Sequence, residues 1–138
     1  MVKVIYIAGD GRSGSTLLDS VLSNIKDSIS VGECCRFWVR FNEAESLCGC
    51  AEMISDCTLW SEINRRLKSE FPSYDALEFQ QKVKEIQFYK NFQNLPKLLD
   101  TEEWREFREV VSFFYRSISE VTGKQTIIDS SKSIPWAY

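Results

Sequence analysis

The sequence predicts an α/β fold built on a parallel sheet, and three observations carry that expectation. An apolar run near the N-terminus, Val4 to Ala8, leads into a glycine-rich loop and then an apolar helical pattern. Two further strand-like runs, Ile29–Val31 and Thr126–Asp129, follow far apart in the chain. Between them lie stretches of 3.6-residue periodicity, and strands separated by helices pair in parallel.

Val2–Ala8 reads as the first strand, apolar enough to be buried on both faces as a central parallel strand is. Ser15–Asn24 reads as the first helix, with Leu17, Leu18, Val21 and Leu22 on one face. Ile29–Val31 is a short strand ending at Gly32-Glu33, and Cys34–Asn42 is helical. Glu45–Thr58 is a loop, and Leu59–Glu70 is a helix that stops ahead of Phe71-Pro72. Asp75–Tyr89 is the next helix, with Leu77, Val83 and Ile86 among its apolar positions. Thr101–Thr122 is the longest. Thr101 with Glu102 and Glu103 gives it a capped, acidic start, and Gly123 gives it a stop. Its aromatic residues Phe107, Phe113, Phe114 and Tyr115 read as core, not as a ligand box. Thr126–Asp129 is the last strand, and a helix begins at Ser133 with Pro135 in its first turn. There is no internal repeat and no low-complexity segment.

The loop between the first strand and first helix, GDGRSGST, carries the most chemical information. The first N–H groups of a helix have no partner within it, and the helix dipole adds partial positive charge there. Gly11 and Gly14 allow close backbone approach and positive φ. Ser13, Ser15 and Thr16 add hydroxyls, and Arg12 adds a forked donor suited to phosphate or sulfate oxygens. A nucleotide-hydrolysing loop would carry Lys after Gly14, but Ser15 stands there and the charge has moved to Arg12. Gly9, Gly11 and Gly14 also fit the dinucleotide-binding spacing, which Glu33 only weakly supports as the ribose-binding acid.

With 138 residues, 43% of them hydrophobic, the chain is one small domain with material for a core. A net charge of −3 and a pI near 5.1 argue against a nucleic-acid partner. No apolar stretch approaches membrane-spanning length and no signal peptide is evident, so no membrane association is expected and a cytoplasmic location is the default. The five cysteines, Cys34, Cys35, Cys48, Cys50 and Cys57, fall in one window, and there is no histidine. They read as buried free thiols, as a loop-stapling disulfide among Cys48, Cys50 and Cys57, or as a zinc site. The paired C-x₂-C spacing of zinc ribbons is missing, so no metal is expected.

The segment GRSGSTLL resembles the 5′-phosphosulfate-binding loop of sulfotransferases that use 3′-phosphoadenosine 5′-phosphosulfate (PAPS). SVGECCRFW resembles the G-E-x-x-R segment of tyrosylprotein and many bacterial sulfotransferases. LCGCAEMISDCTLW resembles the Cys-rich insert of the bacterial group, and IIDSSKSIPWAY its D-S-S-K strand end. The four segments occur in family order and cover roughly a third of the chain. The resemblance implies a P-loop-type parallel sheet with flanking helices, a Cys-rich and helical insert over about 34–123, and sulfuryl transfer from PAPS to a hydroxyl or amine acceptor, a small molecule, glycan or peptide. The family's R-D-x-R…S segment, which holds the 3′-phosphate, has no match here. The 138 residues therefore read as one incomplete domain, the N-terminal portion of such an enzyme.

Within that resemblance, Gly11, Arg12, Ser13, Gly14, Ser15 and Thr16 would bind the cofactor, with Arg12 and Lys132 flanking the leaving phosphate and Glu33 serving as general base. Tyrosylprotein sulfotransferases have two adjacent glutamates in this segment and use the second, where this chain has Cys34. The bland alternatives are a solvated Lys132 and a Glu33 paired with Arg36 or Arg40. Ser130 and Ser131 could cap the following helix, and Asp129 could anchor Lys132 or a loop N–H. No metal is required, because sulfate carries less charge than phosphate. Two other readings stay open: a nucleotide or small-molecule kinase with a degenerate loop, and a non-enzymatic anion-binding or interaction module.

Overall fold

A computed structural model of the chain describes every residue except Ala44, Tyr89, Asn91 and Tyr138, together with the side chain of Phe92. The end expected for a helix at Tyr89 and the last residue of the C-terminal segment therefore lie outside the described residues. Three strands, β1 (Lys3–Ala8), β2 (Ser28–Gly32) and β3 (Thr126–Lys132), form one sheet in the order β1-β3-β2. All pairings are parallel. Lys3 lies opposite Thr126 and Ile5 opposite Ile128 on one side of β3, with Ile29 opposite Ile127 on the other. Because the strands are parallel, the loops after all three leave from the same sheet edge.

The first strand is not the central one. β1 pairs with β3 alone among the described residues, only Ile7 is buried, and Val4 is exposed. The last strand in the sequence, β3, takes the middle. Its Ile127 and Ile128 point to opposite faces and are both fully buried, so each face of β3 is covered. An apolar run signals burial but not sheet position, which depends on a partner more than a hundred residues away.

Helix α1 (Ser15–Leu22) packs on β2 and β3, yet its apolar face turns outward. Leu17, Leu18 and Val21 are exposed, while Ser15 and Asp19 are buried. Ser15 and Asp19 sit one turn apart, and the Ser130 hydroxyl of β3 donates to Asp19 Oδ2 at 3.2 Å. A polar stripe, not the leucine stripe, meets the sheet.

Most of the core lies in the helical segment between β2 and β3. It comprises α2 (Phe37–Asn42), α3 (Thr58–Glu70), α4 (Ala76–Gln87), α5 (Leu95–Leu99) and α6 (Arg105–Thr122). Aromatic side chains fill it. Trp38 and Phe114 are fully buried 4.9 Å apart, Phe79 stacks on Phe107 at 4.9 Å, and Trp60 lies parallel to Phe114 at 6.1 Å. The long helix thus supplies core, as its pattern suggests, and Gly123 ends it at φ 68°. Its start differs. Glu102–Trp104 forms a 3-10 turn, and the Thr101 hydroxyl donates to the Leu98 carbonyl at 2.8 Å instead of capping. The true cap is elsewhere: Asp75 accepts from the Leu77 and Glu78 amides, each at 2.8 Å, and starts α4. Helix α5 was not anticipated, because five residues are too few for a periodic signal. The segment after Ser133 is a 3-10 turn, Ile134–Ala137, in place of a full helix.

Candidate functional site

The loop after β1 is held open by its own backbone. Gly14 adopts φ 79° at the N-cap of α1, and the Leu17 and Leu18 amides donate to its carbonyl at 3.0 and 3.1 Å. Arg12 adopts φ 62°, a left-handed conformation that costs a non-glycine residue about 1 kcal/mol. The amides of Arg12, Ser13, Gly14, Ser15 and Thr16 have no acceptor among the described residues. Gly11 differs, since its N–H donates to Asp10 Oδ1 at 2.7 Å. A carboxylate already occupies one of the six expected anion donors. No atom lies within 4 Å of a Cβ built on Gly11, so the protein itself does not require glycine there. Ser15 is buried, whereas Arg12, Ser13 and Thr16 face solvent.

At the same sheet edge, Lys132 Nζ lies 3.0 Å from Glu33 Oε1. These residues are 99 positions apart and meet because β2 and β3 end side by side. Arg36 approaches the other Glu33 oxygen at 3.5 Å, while Arg40 makes no ion pair with it among the described residues. The Glu33 carboxyl is held below its usual pKa. Burial opposes this, but the hydrogen bond and charge of Lys132 outweigh it, helped by Arg36. Lys132 itself adopts φ 65° as the last residue of β3. Arg12 and Lys132 are thus two of the four non-glycine residues with positive φ among the described residues. Strained backbone of this kind persists where surrounding structure enforces it. Arg12 makes no ion pair among the described residues.

What enforces the Glu33–Lys132 geometry is Asp129. It is fully buried and its two oxygens accept from five donors. The Ser131 amide donates to Oδ1 at 2.8 Å, and the Ser131 hydroxyl and the Cys34 amide (3.3 Å) donate to the same oxygen. The hydroxyl of Tyr115 on α6 and the indole N–H of Trp136 (3.2 Å) donate to Oδ2. The Cys35 amide donates in turn to Ser131 Oγ at 3.0 Å. The turn after β2, which carries Glu33, is therefore pinned to the end of β3 by two hydrogen bonds donated by the Cys34 and Cys35 amides. Ser131 and Ser130 do not cap a helix, and of the two partners expected for Asp129 the structure shows the N–H groups, those of Cys34 and Ser131, and not Lys132. Burial pushes the Asp129 pKa up, with the donated hydrogen bonds pulling against it. From the sequence Tyr115 reads only as core, and Trp136 carries no reading of its own. The hydroxyl and indole N–H that such side chains need to satisfy when buried were the missed signal.

Behind Glu33 a cleft of about 400 Å³ runs under the Cys-rich loop. Gly32, Glu33, Phe37 and Arg40 line one side, and Cys48, Cys50 and Trp60 the other. The five cysteines are all unpaired. Cys34 and Cys35 are buried under the Glu33 turn, and burial raises both thiols, Cys35 to about 11. Cys48, Cys50 and Cys57 form a separate group, none of them lining the glycine-rich loop. Comparison of the chain with protein-family models, with curated proteins and with solved structures gave no match.

Proposed function

We propose that this chain is a PAPS-dependent sulfotransferase unit with a P-loop-type sheet. In this reading the Arg12–Thr16 amides and the Arg12 guanidinium hold the 5′-phosphosulfate, and the acceptor enters through the cleft behind Glu33. The observation that carries it is the convergence at one edge of a parallel sheet: a loop with unpartnered amides after β1, and a Glu33–Lys132 pair formed by the ends of β2 and β3. Ligand sites of open α/β sheets lie at that edge.

The chemistry follows from those groups. An acceptor hydroxyl attacks sulfur, a new S–O bond forms, and the bond from sulfur to the phosphate oxygen breaks. Glu33 takes the hydroxyl proton, and negative charge collects on the leaving phosphate. Lys132 moves from Glu33 to that charge, which frees the carboxylate to act as base. In the resting pair Lys132 helps hold Glu33 ionised, so the carboxylate is available as a base. Without a Lys after Gly14 the loop is poorly suited to transferring a γ-phosphoryl group.

Calorimetric titration with adenosine 3′,5′-bisphosphate tests the reading. Binding without added Mg²⁺, weakened at least tenfold by Arg12→Ala, is expected. Preference for ATP with Mg²⁺ would instead establish the kinase reading, and binding indifferent to Arg12 would remove the loop from the site.

A further inference from the structure

Three thiols converge in the loop between α2 and α3. The Sγ atoms of Cys48, Cys50 and Cys57 all lie within 4.8 Å of one another, and no other Cys, Asp or Glu joins them among the described residues. Nothing in the sequence spacing requires this, since Cys57 is nine residues from Cys48 in an irregular segment. The backbone brings them together. Leu47 and Met53 form an isolated antiparallel bridge, the Cys48 amide donates to the Glu52 carbonyl at 2.8 Å, and the Ala51 amide returns to the Cys48 carbonyl at 2.9 Å. Ala51 closes this turn at φ 70°, a conformation alanine rarely adopts. Cys57 arrives as the N-cap of α3, where the Met53 carbonyl accepts its amide at 2.9 Å.

We propose that Cys48, Cys50 and Cys57 form a three-thiolate site for a thiophilic d¹⁰ cation, Zn²⁺ above all. Three sulfurs around one tetrahedral zinc, each about 2.3 Å from it, stand about 3.8 Å apart. The sulfurs need to contract by no more than about 1 Å, which the exposed Cys50 beside Gly49 can supply. The Leu59 and Trp60 amides at the start of α3 face the Cys57 sulfur, and a metal-bound thiolate can accept from them. A disulfide would join only two of the three sulfurs and leave the third beside it. One cation uses all three.

The fourth coordination position is left to water or to a molecule in the cleft, because Cys48 and Cys50 line the same cleft as Glu33. The ion fastens the loop that roofs the cleft, and it sits beside the path an acceptor takes. This placement, not the metal binding itself, rests on the sulfotransferase reading.

The test is metal titration of the reduced, purified chain with Co²⁺ and then Zn²⁺. One Co²⁺ per chain is expected, with an intense thiolate-to-metal band in the near ultraviolet and d–d bands of tetrahedral strength, both erased by one equivalent of Zn²⁺. Cys50→Ser, at an exposed position that leaves the fold intact, should remove the tetrahedral spectrum and weaken Zn²⁺ binding at least a hundredfold. Cys57→Ser should do the same, and Cys35→Ala should not. No uptake by the fully reduced protein, or a spectrum that survives Cys50→Ser, would overturn the proposal. Both results are independent of adenosine 3′,5′-bisphosphate binding, so a failed metal site and a failed nucleotide site are distinguishable.

Discussion

Lys132 and Glu33 define each other at the scale of single residues. The pair is partly exposed, so its value lies in alignment more than in stability. In a complete enzyme, replacing Lys132 with Ala is expected to lower sulfuryl-transfer turnover about 100-fold or more, because the lost charge acts mainly in the transition state. Glu33→Gln should lower turnover while leaving nucleotide affinity unchanged, and steady-state kinetics beside calorimetry separates the two effects. The pH dependence has a definite sign. The Glu33 pKa is depressed in the fold, so its contribution to stability is present above the carboxyl's unfolded value and is lost as pH falls through the lower folded one. Asp129 has the opposite sign. Its raised pKa means that it favours the fold most when protonated, and part of that advantage is lost as pH rises through its folded value. Chemical denaturation of Glu33→Gln across acid pH should therefore show a smaller loss of stability below about pH 4 than the parent chain does. Arg12 offers a clean separation of function from folding. Relief of its left-handed backbone offsets the chain entropy that glycine loses, so Arg12→Gly is expected to change stability by less than about 0.5 kcal/mol while weakening anion binding.

Among the elements, α1 shows where sequence pattern misleads. Leu17, Leu18 and Val21 have the spacing of a buried face, and the pattern was read correctly as helical. Periodicity gives the helix but not its rotation about its axis, and here the Ser15–Asp19 stripe meets Ser130 instead. Leu17→Gln and Val21→Gln should therefore each shift stability by less than about 0.5 kcal/mol, the range of surface substitutions. Trp38→Ala, in the aromatic core, should cost about 3–5 kcal/mol, and thermal melting compares them directly. Asp129→Asn puts an amide NH₂ against two of five donors, so a loss of about 1–3 kcal/mol is expected. The D-S-S-K segment was legible as important from the sequence, but the roles of its members were not. Hydrogen bonds that join residue 129 to residues 34, 115 and 136 have no local signature.

The whole molecule makes the site by topology. Strand–loop–helix order after β1 was readable, because glycines, hydroxyls and one arginine sit where an apolar run gives way to a helix. That Glu33 and Lys132 share a sheet edge was readable as a consequence of parallel strands, but their direct ion pair was not. Strand order was not, since placing β3 between β1 and β2 depends on pairings across nearly the full chain. The grouping of Cys48, Cys50 and Cys57 was one reading among three, and the sequence could not show how an irregular loop achieves it through one bridge and one positive-φ alanine. No helix among the described residues is long and apolar enough to cross a membrane. Titrating adenosine 3′,5′-bisphosphate into ¹⁵N-labelled protein while following backbone amides tests the central claim most directly. The Arg12–Thr16 amides should shift most, together with Gly32–Glu33 and Lys132, and all of these responses should vanish in Arg12→Ala. Shifts confined to other parts of the chain, or an unresponsive Arg12–Thr16 segment under saturating ligand, would contradict it.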